Sequence, residues 1–228
     1  MKTAHSGFCY LLVLSALLPG VGASPLMAAA LPADAVIRHA SDGLTVVSIT
    51  AHDLAAGLAA VPSAADMTAD TSFDSFSLAV LDQYAEVLGL QHPSQELRLL
   101  RMENDQLGFT HVVFSQYWRD RPVFDARLLV HWNASHQLYR IDGHYAASPR
   151  ETLAEPVLDA GAAVVAALRV PGVRRAQLGQ PELGIYTQEG KPAALAWRFP
   201  LSVSLRRRYW MTLDAGNGVL LDRHAMAP

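Results

Sequence analysis

Nine histidines and a few strand-end acids are the side chains here with the reach to do chemistry. His131 and His136 lie close together, with His144 just beyond and His111 upstream. Imidazoles grouped like this could ligate a metal or move a proton. No acid recurs at a fixed spacing beside them. They read as surface or half-buried sheet histidines, with His111 and His131 facing each other if their strands pair. Asp142, Asp214 and Asp222 close apolar segments, where acids act as turn formers rather than as an acid/base pair. The run Asn133-Ala134-Ser135 matches a glycosylation acceptor, which needs a eukaryotic secretory route.

Several reaction classes lack their signature. A thermolysin-like zinc centre needs HExxH on a helix, with two histidines one turn apart and a glutamate base. No His-Glu pair occurs in the chain. There is no GxSxG elbow for a serine nucleophile, and no Gly-rich loop joins a strand to a helix to cradle phosphate. The single cysteine, Cys9, sits in an N-terminal apolar run. The remainder can hold neither a disulfide nor a thiolate metal site. A net charge of −3 lacks the basic stripe of a nucleic-acid binder. No cofactor is expected.

Binding surfaces are the better candidates. Trp118, Arg119 and Arg121 flank a tight bend. Within the aromatic set Tyr117, Trp118, Phe124, Trp132 and Tyr139, alternate members form a core face and Trp118 is expected to be exposed. Arg206-Arg207-Arg208 is the one basic run; it reads as a solvated turn, with a docking patch for an acidic partner as the sharper alternative. The C-terminal Arg223, His224 and Ala225 form either a frayed end or an extended segment able to enter a partner's cleft.

Residues 1–30 have a short basic start, an apolar run over Phe8–Leu18 and small residues beyond it, the pattern of a secretory signal peptide. Cleavage falls after Ala23 or near Ala30, and a retained anchor is the runner-up. After cleavage no membrane association is expected, and the chain is secreted or periplasmic. With 51% hydrophobic residues, the rest can fold by core packing alone.

Hydrophobic periodicity then supplies the elements. Residues 31–72 form a lead-in: a strand over 44–50, a helix from Thr50 to Val61 and a polar linker over 63–72. A helix over 73–88 precedes four strands at 96–102, 109–118, 122–132 and 137–145, close enough to form an antiparallel meander. After a break at 146–156 the pattern repeats. A helix over 156–170 is followed by strands at 175–186, 193–203, 209–213 and 219–221. The expected fold is α+β: two tandem domains, residues 73–147 and 156–224, each a curled antiparallel meander packed on one helix (cystatin-like), with a tail at 225–228.

The first block resembles the fungalysin/thermolysin propeptide domain. The resemblance rests on Asp105, Gly108, Thr110-His111, Gln116-Tyr117, Pro122-Val123-Phe124 and the strand ending in His131. Arg121 stands where the family often has Gly, so the turn type is expected to differ. The second block resembles the PepSY domain through Ala194–Phe199 with Trp197, and Tyr209–Gly218 with Asp214 and Gly218. The resemblance covers about residues 73–224. It implies the pro-region of thermolysin-like zinc peptidases, which assists folding of the catalytic domain and holds it inactive, here without that domain. The resulting expectation is a non-enzymatic protein that binds a thermolysin-like zinc metallopeptidase in trans, as inhibitor, folding chaperone or both. The alternatives are an envelope interaction module unrelated to proteolysis and the remnant of a truncated zymogen.

Overall fold

The computed structural model describes residues 30–41, 45–58, 72–149, 153–174, 176–188, 191–204 and 206–226. The N-terminal segment read as a signal peptide (1–29 of its 30 residues) and the linker over 63–71 lie outside the described residues. Among those described, no helix is long and apolar enough to cross a membrane.

The expected first meander is present: β3 (Leu97–Asn104), β4 (Thr110–Trp118), β5 (Arg121–Trp132) and β6 (Leu138–His144), antiparallel in sequence order. Period-two alternation turns Val112, Phe114, Leu128, Val130 and Trp132 into one buried face. Helix α1 (Phe73–Gln83) covers that face with Val80 and Leu81, and Trp132 Nε1 donates to Ser77 Oγ at 3.0 Å. The single helix expected over 73–88 is interrupted. Tyr84 leaves helical geometry at ψ 13°, and α2 (Ala85–Leu88) follows, closed by left-handed Gly89. The Tyr84 hydroxyl is held instead by the Leu54 carbonyl at 2.7 Å. One helical turn, α3 (Pro93–Glu96), leads into β3.

The lead-in differs from expectation. A hairpin of β1 (Val36–His39) and β2 (Val46–Thr50) adds to β6 and widens the sheet. The helix expected from Thr50 does not form over residues 51–58. Asp53 Oδ1 accepts from Ala55 N at 3.0 Å and Leu138 N at 3.2 Å, so it fastens a turn to β6 rather than opening a helix.

In the second half α4 (Ala160–Arg169) starts later than its proline suggested. Asp159 accepts from Ala162 N at 2.7 Å as the cap, while Val157 and Leu158 N–H groups bond the Ala215 carbonyl. The strand expected over 175–186 is split into β7 (Gln177–Leu178) and β8 (Glu182–Tyr186). Then come β9 (Ala194–Ser204), β10 (Arg207–Asp214) and β11 (Leu220–Ala225). Ala163 and Ala167 of α4 pack into a second core with Phe199, Leu201, Met211 and Leu213.

The two cores share one curled sheet of mixed pairing. Strand β8 runs parallel to β5, with Val123 opposite Ile185, which corrects the expectation of purely antiparallel sheets. The strand order is β1-β2-β6-β5-β8-β9-β10-β11, with β4 and then β3 on the other edge of β5 and β7 beside β9. Gly184 makes this joint possible. A Cβ there would lie 2.5 Å from the Phe124 ring and 2.6 Å from the Pro122 carbonyl.

Candidate partner-binding site

The bend between β4 and β5 is a two-residue turn with Arg119 at φ 48° and Asp120 at φ 63°. Both angles are positive, as in a type I′ hairpin, where non-glycine residues carry strain. Arg121 lies in β5, opposite Trp118. Contacts hold the turn: Arg98 pairs with Asp120 at 2.5 Å and lies over the Tyr117 ring, and Arg119 lies over Trp118 at 4.6 Å. Arg121 reaches Glu155 at 3.5 Å. Trp118 is not the exposed aromatic expected from its place beside the turn. It is 8% exposed and belongs to the second core, with Val123, Ala126 and Ile185. Its remaining edge lines a cleft of about 380 Å³, together with Arg119, Asp120, His92 and Gln95. Buried Glu96 forms the cleft wall, accepting from Gln91 N at 3.0 Å, His92 N at 2.8 Å and the Ser148 hydroxyl.

The expected motif residues are mostly builders of the scaffold. Asp105 Oδ1 accepts from Leu107 N and Phe109 N at 2.8 and 2.9 Å, with Gly108 left-handed at φ 77°. Those bonds, Phe109's foremost, hold the Asp105 carboxyl below its usual range, with His111 adding to the shift. In the second half Asp214 Oδ1 closes a matching turn, accepting from Gly216 N at 2.8 Å and Asn217 N at 3.0 Å, with Gly218 at φ 75°. Buried Gln116 spans to Ala146 through both its amide atoms, at 2.7 and 2.9 Å. Trp197 Nε1 donates to the Leu158 carbonyl at 2.9 Å. Pro122 sits opposite Tyr117 at the start of β5. His111 and His131 are cross-strand partners, as their spacing on paired strands anticipated.

The C-terminal candidates are not a free tail over the described residues. Strand β11 runs beyond the expected 219–221 and pairs Met211 with Arg223, Trp210 with His224 and Tyr209 with Ala225. His224 is held by Asp222 at 2.5 Å and approaches Asp125 at 3.7 Å. Asp125, left-handed at φ 61°, also pairs with buried Arg198, whose guanidinium lies between the Phe124 and Trp210 rings. The sequence reading missed this cluster, because it joins residues far apart in the chain.

Register brings the basic candidates to one end of the sheet. Going from Val123 towards Arg121 runs the same way as from Ile185 towards Glu182, and as from Leu195 towards Ser204. The Arg119–Asp120 bend and Arg206, Arg207 and Arg208 therefore lie towards the same end. All three arginines are exposed, and none has a carboxylate within 4 Å among the described residues; the same holds for Arg174 and Arg223. Strand β3 offers a second surface. It pairs only with β4 among the described strands and exposes Leu99, Leu100 and Met102, next to Leu107 at 72% exposure. An open apolar edge of this kind is a template for another chain.

Comparison with known proteins agrees with the first half. No curated protein matches the chain. A solved structure, the Bacillus megaterium YpeB C-terminal domain, aligns at TM-score 0.40 and 9% identity, over 80% of this chain and 73% of that one. Residues 95–145, the β3–β6 meander with its bend and its open edge, match the fungalysin/thermolysin propeptide motif, under a quarter of the chain.

Proposed function

We propose that this is a propeptide-like protein that binds a thermolysin-like zinc peptidase in trans, as inhibitor, folding chaperone or both. One observation carries the reading: the propeptide motif at 95–145 coincides with the meander that exposes the β3 edge and the charged bend. The second half, with its own core and the Asp214–Gly218 turn echoing Asp105–Gly108, is read as a PepSY-like partner domain. Neither half is assigned a reaction. The N-terminal 30 residues are read as a leader that sends the protein to the periplasm or medium.

A stable complex needs about 1,600 Å² of buried surface. Strand addition along β3 would supply main-chain bonds and apolar contact. The arginine-rich end would steer an acidic partner. The test is titration into an active thermolysin-like peptidase of the same organism, read by hydrolysis of a fluorogenic peptide, with refolding yield measured alongside. Saturable loss of activity or a raised yield supports the reading. No effect on either at large excess sinks it and leaves an envelope role unrelated to proteolysis.

A further inference from the structure

The face of the first sheet turned away from α1 carries a polar row. Glu103, His111, His131 and Arg140 are successive cross-strand partners on β3, β4, β5 and β6. At its centre the two imidazoles meet with ring centroids 4.9 Å apart and Nδ1 atoms 2.7 Å apart. The other nitrogen of each ring faces a carboxylate at 3.3 Å: His111 Nε2 towards Asp105, His131 Nε2 towards Asp142. Both carboxylates are anchored, Asp105 by its turn and Asp142 by Arg140.

A carboxylate only accepts hydrogen bonds, so each Nε2 carries its proton outward. In the neutral rings both Nδ1 lone pairs then point at one spot, a repulsive arrangement unless a cation occupies it. A carboxylate behind each imidazole is also the support that metal-ligating histidines use to fix tautomer and raise basicity. We propose that His111 Nδ1 and His131 Nδ1 form a two-imidazole site for a divalent late transition-metal ion such as Zn²⁺ or Cu²⁺.

Imidazole donors favour these ions over Mg²⁺ and Ca²⁺. Two metal–nitrogen bonds of about 2.0–2.1 Å at a tetrahedral angle set the nitrogens about 3.3 Å apart, so the rings need open only slightly. The side chains are 24% and 14% exposed, so the imidazole pair is not sealed from solvent. Among the described residues no group of three His, Cys, Asp or Glu is placed to hold a metal, so water or a partner's side chain completes the shell. The rival occupant is a single proton shared on the Nδ1–Nδ1 line.

The test is calorimetric titration of the purified protein with zinc chloride near neutral pH, alongside His111→Gln and His131→Gln. The expected result is one zinc per chain, with affinity weakened about tenfold or more in each variant whose far-UV circular dichroism is unchanged. In the wild type, imidazole ¹⁵N spectra ask the same question without substitution. Zinc should shift two Nδ1 resonances, whereas adventitious surface binding shifts Nε2. No zinc uptake, no Nδ1 shift, or affinity unchanged in both folded variants overturns the site and leaves the shared proton.

Discussion

Arg198 of β9 and Asp125 of β5 form an ion pair that ties these two strands together, the guanidinium buried and the carboxylate half-exposed. The guanidinium lies 4.2 and 5.0 Å from the centres of the Phe124 and Trp210 rings, and among the described residues its Nε has no hydrogen-bond partner. Breaking a buried pair by removing one member leaves the other uncompensated, at a cost of about 3–5 kcal/mol. Because Asp125 can reach water, Arg198→Ala is expected near the low end, about 3 kcal/mol, by urea denaturation. Arg198→Lys should recover little of this, since an ammonium cannot stack flat between two rings.

Gly184→Ala should damage the joint between the halves. The added methyl meets the Phe124 ring and the Pro122 carbonyl, and backbone yields less readily than a flexible side chain. Overpacking of this kind costs about 1–3 kcal/mol. The check is a lower urea midpoint with the greatest loss of amide-exchange protection around Val123 and Ile185.

Alkaline pH should weaken the fold through Tyr84. Burial chiefly, with help from Asp53, pushes its phenol up from 10.0 to about 12. The folded value lies above the unfolded one, so the contribution is complete below pH 10 and falls as pH rises towards 12. At about 1.4 kcal/mol per pH unit the loss over these two units is on the order of 3 kcal/mol. Tyr84→Phe should flatten that slope in stability measured against pH. It should also cost about 1–3 kcal/mol at neutral pH, because the Leu54 carbonyl loses its donor.

The basic end makes a kinetic prediction for the proposed complex. Replacing Arg206, Arg207 and Arg208 together with Gln should leave the melting temperature within a degree or two, since all three are exposed and have no carboxylate partner among the described residues. Association with an acidic peptidase should slow and lose most of its salt dependence, while dissociation changes little. Stopped-flow binding at two ionic strengths reads this directly.

What the sequence revealed was local. Alternation located all four strands of the first meander, Asp105 and Asp214 announced their turns, and His111 and His131 could be matched once their strands were paired. What it hid was long-range. Nothing near Trp118 signals that the second core will take it in. The polar Asp222-Arg223-His224 run conceals a strand that pairs with β10 and brings His224 towards Asp125 of β5. Thr50 and Asp53 have the spacing of a capping box, but Leu138 N claims the Asp53 oxygen instead. The parallel register of β5 and β8 joins segments some sixty residues apart, and no local periodicity encodes it.

That parallel joint also imposes an order of assembly. Strand β5 contributes one flank of the first core and presents the border on which β8 docks. During synthesis the first meander leaves the ribosome complete while β8 is still being made, so the earlier half serves as a mould for the later one. Loop closure between Val123 and Ile185 carries the larger entropic cost and follows the hairpins. A lesion in β5 therefore reaches both cores, whereas one in β10 or β11 leaves the amino-terminal half able to form.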